Sequence, residues 1–160
     1  MKKVLYTGSF DPITKGHMDI VYQASQIFDE VVIAVLVNSS KKNYLFEIDE
    51  RVELIKEIYK DYDDVSVITS TGAAVDVAIE NDCVAIVRGL RSLSDYADEV
   101  TNCLANKAIS NNKINTICFF ADTQYQFISS SIVKEIFRLD KDITNYVDPV
   151  VKKKMLMKKR

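Results

Sequence analysis

The chain has 160 residues with a formal net charge of −2 at pH 7, 48% of them hydrophobic and 28% charged. That balance excludes an intrinsically disordered chain. The slight acidity argues against a polynucleotide partner, whose backbone phosphates call for a basic face. The length suits one domain, residues 1–160, able to bury roughly two thirds of the surface that the unfolded chain would expose.

The N-terminal Met1-Lys2-Lys3 leads into an apolar run too brief for a signal peptide, and no later segment approaches the length of a membrane span. A cytoplasmic location is expected. The run predicts a first strand near Lys3 to Tyr6. The turn behind it, Thr7 to His17, holds two of the four glycines and one of the two prolines, so its backbone takes an unusual path. A helix starting at about Gly16 would aim free N–H groups and a positive dipole end at an anion, with His17 in its first turn. A lone histidine is by default a surface or core residue; its place in this turn is what makes it a candidate.

Met18, Val21, Ala24 and Phe28 continue at helical spacing and predict one buried stripe. A strand over Val31 to Val37 follows, and behind it Lys41 and Lys42 could hold a substrate phosphate or simply stay solvated. Val52, Ile55, Ile58 or Tyr59, and Tyr62 predict the next helix. Strands near Val65 to Thr69, Cys83 to Val87 and Ile114 to Ala121 alternate with helices near Ala73 to Asn81, Asp95 to Ile109, Ser130 to Leu139 and Val150 to Met157.

The turn expected after the fourth strand reads Arg88-Gly89-Leu90-Arg91. Its two forked guanidinium groups can grip phosphate oxygens, or can be exposed charge on a turn. After the fifth strand, Ile128-Ser129-Ser130-Ser131 offers hydroxyl and N–H groups to phosphates, or plain N-capping. Cys83, Cys103 and Cys118 lack metal-site spacing and lie far from the only histidine, so no zinc site is expected. Cys83 and Cys118 fall in apolar runs that read as core. The lysine-rich end, Lys152 to Arg160 around Met155-Leu156-Met157, reads as a solvated helix end.

The alternation of strands and helices predicts an α/β fold, a Rossmann-like, doubly wound, five-stranded parallel sheet with helices on both faces. Ligands of such sheets bind beyond the carboxyl ends of the strands at the switch point. The four candidate segments all fall at that end.

Together these residues resemble a known family. Gly8 to His17 is similar to the TxGH signature of the nucleotidylyltransferase superfamily, and Ile128 to Ser131 to its ISSS signature. With Ser40-Lys41-Lys42, Glu50-Arg51-Val52, Arg88 to Arg91 and Phe127 to Glu135 in order, nearly the whole chain resembles the bacterial phosphopantetheine adenylyltransferases. The resemblance implies transfer of adenylyl from ATP to 4'-phosphopantetheine, with Mg2+ carried on the ATP phosphates, no protein metal ligand, and a homohexamer in the cytoplasm. It implies His17, Lys41 and Arg91 as catalytic residues. It implies nucleotide contacts from Ser9, Phe10, His17, Gly89, Leu90, Arg91, Glu99, Tyr125, Gln126, Phe127, Ile128, Ser129, Ser130 and Ser131. Acceptor contacts would come from Ser9, Lys41, Ala74 and Arg88. Tyr125 stands where the family often has tryptophan, and Asp98 where an aromatic is frequent.

The chemistry is consistent with that set. An acceptor phosphate is already anionic at pH 7, so placement and charge stabilisation suffice without a protein nucleophile. The rivals are another acceptor on the same superfamily scaffold and a non-catalytic nucleotide sensor.

Overall fold

The computed structural model describes residues 1–37 and 43–159. Five parallel strands, β1 (Lys3–Gly8), β2 (Glu30–Leu36), β3 (Val65–Ser70), β4 (Cys83–Leu90) and β5 (Asn115–Phe120), form one sheet in the order β3-β2-β1-β4-β5. Chain direction across the sheet reverses at β1, which pairs with β2 on one side and β4 on the other. That is the switch point expected of a doubly wound sheet, and a crevice opens there at the carboxyl ends.

The helices are α1 (Lys15–Ser25), α2 (Ile48–Ile58), α3 (Ala74–Glu80), α4 (Leu93–Ile109), α5 (Ser130–Arg138) and α6 (Pro149–Lys158). The larger core lies on one face, where Val4, Tyr6, Ile33, Val35 and Val87 of the sheet meet Ile20, Val21, Ala24, Ile55, Val133, Val151 and Met155 of α1, α2, α5 and α6. The opposite face carries a smaller core of Leu5, Val32, Ala34 and Ile86 against Val75, Val77 and Ala78 of α3. Alternate residues of β1 thus serve both layers, which is why the central strands read as unbroken apolar runs.

The structure corrects several local expectations. β4 runs on through Arg88, Gly89 and Leu90, which pair with Cys118, Phe119 and Phe120 of β5, so those residues are strand and not turn. Gly89 is dictated by packing: a Cβ there would stand 2.9 Å from Cγ1 of Ile20 on α1. Of the stripe expected on α2, Ile55 and Tyr59 are buried and Val52 and Ile58 pack partly buried on the core, joined by Arg51 and Leu54, but Tyr62 lies past the helix end, 56% exposed. Cys118 is exposed because β5 is an edge strand, whereas Cys83 is buried. The C-terminal helix is more than a solvated end, since Met155 is fully buried and Lys154 and Lys158 pair with Glu50 of α2. No helix among the described residues is long and apolar enough to cross a membrane.

Candidate active site

The loop after β1 passes through a left-handed residue, and it is Phe10 (φ 48°), not a glycine. A bulky side chain in that region is strained by roughly 1–3 kcal/mol and persists only where its surroundings hold it. The restraints are visible. The Phe10 ring, 2% exposed, packs edge-on against Tyr6 at 5.4 Å and His17 at 5.1 Å between centroids. Asp11, 3% exposed, accepts the N–H groups of Leu45 (2.7 Å) and Phe46 (2.8 Å) and pairs with Lys134 of α5 at 3.2 Å. The Ser130 hydroxyl donates to the Pro12 carbonyl at 2.8 Å. The Asp11–Pro12 peptide bond is cis.

Thr14 ends the loop as N-cap of α1, and its side chain accepts the His17 N–H at 3.4 Å. His17 returns the contact, its Nδ1 accepting the Thr14 N–H at 3.0 Å. A backbone N–H can only donate, so Nδ1 carries no proton and the neutral ring bears its hydrogen on Nε2. Burial first, then the charges of Arg91 and Arg88, lower the His17 pKa from 6.5 to about 4. The imidazole is therefore neutral at pH 7, a hydrogen-bond donor without net charge.

Arg88 is bound to Glu99 of α4 by Nε at 2.9 Å and Nη2 at 2.7 Å, while its Nη1 donates to the Thr7 carbonyl at 3.0 Å. Desolvation lowers the Arg88 pKa, but the hydrogen bonds and charge of Glu99 outweigh it and the net shift is upward. Arg91 spans two elements, donating from Nε to Asp95 at 3.0 Å and from Nη1 to the Ile128 carbonyl at 2.9 Å. Each guanidinium has five N–H donors, so each retains hydrogens for a ligand after these contacts.

At the start of α5 the Ser129 hydroxyl caps the N–H of Ile132 at 3.1 Å, leaving the Ser130 and Ser131 N–H groups outside the helical ladder. The capping reading of the serine run is realised: the Ser129 hydroxyl caps α5 and the Ser130 hydroxyl braces the loop at Pro12.

These groups surround one cavity of about 490 Å³ at the carboxyl ends of β1 and β4. Of the expected site residues, Ser9, Phe10, His17, Arg88, Gly89, Arg91, Glu99, Ile128, Ser129, Ser130 and Ser131 line it. Leu90 does not; it is 7% exposed in β4, and its carbonyl accepts the Ala121 N–H. Tyr125, Gln126 and Phe127 pass behind the start of α1, where the Tyr125 and Ile128 carbonyls face Gly16. Ala74 opens α3 and packs on the smaller core. Lys41 lies outside the described residues.

The wall also includes Thr14 and Lys134, which fall in the motif segments without an expected role of their own, and Asp95, expected only as the start of a helix. Thr14 stands three residues before His17 and Asp95 four after Arg91, spacings that signal a cap and a helical ion pair. Among the described residues no group of three or more His, Cys, Asp or Glu side chains could hold a metal ion.

An all-parallel sheet with a donor-rich cavity at its switch point is the architecture of nucleotide-binding enzymes, and comparison with known proteins gives the class. The family model described as cytidylyltransferase-like matches residues 5–136. Among solved structures, a Vibrio parahaemolyticus protein described as a candidate nicotinate-nucleotide adenylyltransferase aligns with a TM-score of 0.65 at 18% identity, covering 98% of this chain and 99% of the other, a likeness of fold. Curated phosphopantetheine adenylyltransferases are far more similar in sequence. That of Fusobacterium nucleatum is 40% identical over 94% of this chain and 92% of its own length. That of Heliobacterium modesticaldum is 44% identical over 99% and 93%. The chain belongs to the cytidylyltransferase-like family and, within it, to the phosphopantetheine adenylyltransferases.

Proposed function

We propose that this chain, acting as one domain, transfers the adenylyl group of ATP to 4'-phosphopantetheine, releasing pyrophosphate and forming dephospho-coenzyme A. The observation that carries the proposal is the convergence of His17, Arg88, Arg91 and the free N–H groups of α5 on one cavity.

The acceptor phosphate attacks the α-phosphorus in line with the departing pyrophosphate. The Nε2–H of His17, aligned by the Thr14 contact, donates to the α-phosphate oxygen as charge builds there. Arg91 and the α5 N-terminus hold the β- and γ-phosphates, where N–H groups and dipole favour anions. Arg88 and Lys41 take the acceptor phosphate, Ser9 lies between the two substrates, and Ala74 meets the pantetheine arm. Gly89, Glu99 and Ile128 complete the nucleotide side of the cavity, with Leu90, Tyr125, Gln126 and Phe127 backing that wall. No side chain needs to act as a base, because the attacking oxygen is already ionised. Magnesium would enter with ATP as part of the substrate and would supply neutralisation of the phosphate charge. The enzyme works in the cytoplasm.

The homohexamer belongs to the same reading. On α4, Leu93 (88% exposed), Tyr96, Val100 and Leu104 form an apolar stripe at helical spacing, and Phe120 of the edge strand is 78% exposed. Such a stripe supports burial against other copies. Leu104→Lys is expected to shift the mass in light scattering from six subunits to fewer; an unchanged mass rejects this surface.

Turnover with a panel of phosphorylated acceptors, followed by pyrophosphate release, tests the activity. Preference for phosphopantetheine is expected; equal or better use of nicotinamide mononucleotide or glycerol phosphate overturns it, and nucleotide binding without turnover returns the sensor reading.

A further inference from the structure

Arg51 sits on the buried side of α2, only 2% exposed. Its Nη1 donates to the carbonyl oxygen of Ser9 at 2.7 Å, and its guanidinium carbon lies 4.2 Å from the centre of the Tyr44 ring. Its Nε is buried without a hydrogen-bond partner. Its contacts are thus one carbonyl and one aromatic face, with no carboxylate among the described residues. For the fold alone this is a poor use of the position. A buried charge is costly to desolvate, and an apolar side chain of similar size is often neutral or stabilising in its place.

What Arg51 does hold is the peptide immediately before the left-handed residue. The Ser9–Phe10 bond is trans, so its C=O and N–H point in opposite directions. Pulling the Ser9 carbonyl toward α2 turns the Phe10 N–H the other way. Ser9 and Phe10 line the cavity, whereas Arg51 does not.

We infer that Arg51 is a positioning residue for adenylyl transfer: by anchoring the Ser9 carbonyl it fixes the Ser9–Phe10 peptide with the Phe10 N–H presented to a phosphate oxygen of the bound nucleotide. The inference rests on the adenylyl-transfer reading for the identity of the ligand, not for the contact itself. Arg51 touches neither substrate, and its effect passes through the orientation of one amide. A guanidinium suits the task because its planar fork stacks on Tyr44 while one arm reaches the carbonyl, a combination that a lysine ammonium does not reproduce.

The test compares Arg51→Met and Arg51→Lys with the wild type in the intact chain. Thermal unfolding, ATP binding by calorimetry, and kcat and KM for each substrate are measured per folded protein. Arg51→Met is expected to stay folded, to lose up to about a hundredfold in kcat, as misplacement of a distant anchor can cost, and to weaken ATP binding about tenfold. The KM for phosphopantetheine should rise less than ATP binding weakens, since the Phe10 N–H serves the nucleotide and the acceptor keeps its other contacts. Arg51→Lys should recover part of the loss. If Arg51→Met fails to fold, Arg51→Lys decides alone, with a fall of at least about fivefold in kcat or ATP affinity at an unchanged melting temperature expected.

Wild-type kcat and ATP affinity in the folded variants, or a loss that only tracks the unfolded fraction, overturns the inference. ATP binding separates it from the substrate reading. If the wild type does not turn over phosphopantetheine yet Arg51→Met still binds ATP more weakly, the acceptor assignment fails and the role of Arg51 stands.

Discussion

The Nδ1 atom of His17 accepts the backbone N–H of Thr14 at 3.0 Å, and this contact decides which end of the imidazole can donate. The same pair closes the N-terminus of α1, because the Thr14 side chain accepts the His17 N–H in return. A helix-capping device and a tautomer lock are one structure here.

Replacement of the ring follows directly. His17→Ala should fold and bind ATP, yet transfer adenylyl at least about a hundredfold more slowly, the usual cost of losing one well-placed donor to developing charge. Pre-steady-state turnover with calorimetric ATP binding checks it; near-normal turnover refutes the donor role. Thr14→Ala keeps the backbone N–H on Nδ1 but loses the cap and the hydroxyl's own 3.0 Å contact with Nδ1, so stability should fall by about 1 kcal/mol while turnover falls less than in His17→Ala.

The lowered pKa of His17 carries a sign. With a folded value of about 4 against 6.5 when unfolded, the unfolded state binds more protons between those limits. Stability therefore rises with pH through that window, by at most about 1.4 kcal/mol per pH unit, and the contribution is complete above pH 6.5. Chemical denaturation at pH 7, 5.5 and 4.5, wild type against His17→Gln, should show the wild type losing more stability toward acid. Equal losses would remove burial of a neutral imidazole as the cause.

Gly89 and Ile20 define the distance between β4 and α1. A Cβ at Gly89 would meet Ile20 Cγ1 at 2.9 Å, so Gly89→Ala should cost about 1–3 kcal/mol through overpacking. In a double-mutant cycle with Ile20→Ala, the pair should cost less than the sum of the single changes. Additive costs would mean that the clash is relieved elsewhere.

Asp11 joins three segments through two backbone N–H groups and Lys134. Asp11→Asn removes the partner of the Lys134 ammonium, which the cavity still hydrates, and replaces one acceptor of the two backbone N–H groups by an amide donor, so it should cost about 1–3 kcal/mol. Asp11→Asn combined with Lys134→Met should recover part of that loss, measured by urea unfolding. No recovery would place the energy of Asp11 in its backbone contacts alone.

Much of the fold and part of the site were legible in the linear order. Unbroken apolar strands alternating with helical stripes specify a parallel sheet covered on both faces, because only that arrangement buries both kinds of surface. The segments behind β1 and β5 and at the end of β4 announced themselves through glycine, arginine and serine, and the structure brings all three to one cavity. Thr14 and Asp95 could also have been read from spacing.

Other features depend on contacts distant in sequence. Arg51 occupies a buried position where a charged residue would be expected to face water; only its approach to Ser9 and Tyr44 gives it a place. Phe10, not either neighbouring glycine, takes the left-handed conformation, because Tyr6, His17 and the ties of Asp11 and Pro12 hold it there. Strand β4 outruns its apolar stretch because β5 offers a ladder alongside it. Local periodicity and turn chemistry are properties of neighbouring residues and survive in the bare sequence. Strain, buried charge and strand length are settled by partners that meet only when the chain closes on itself.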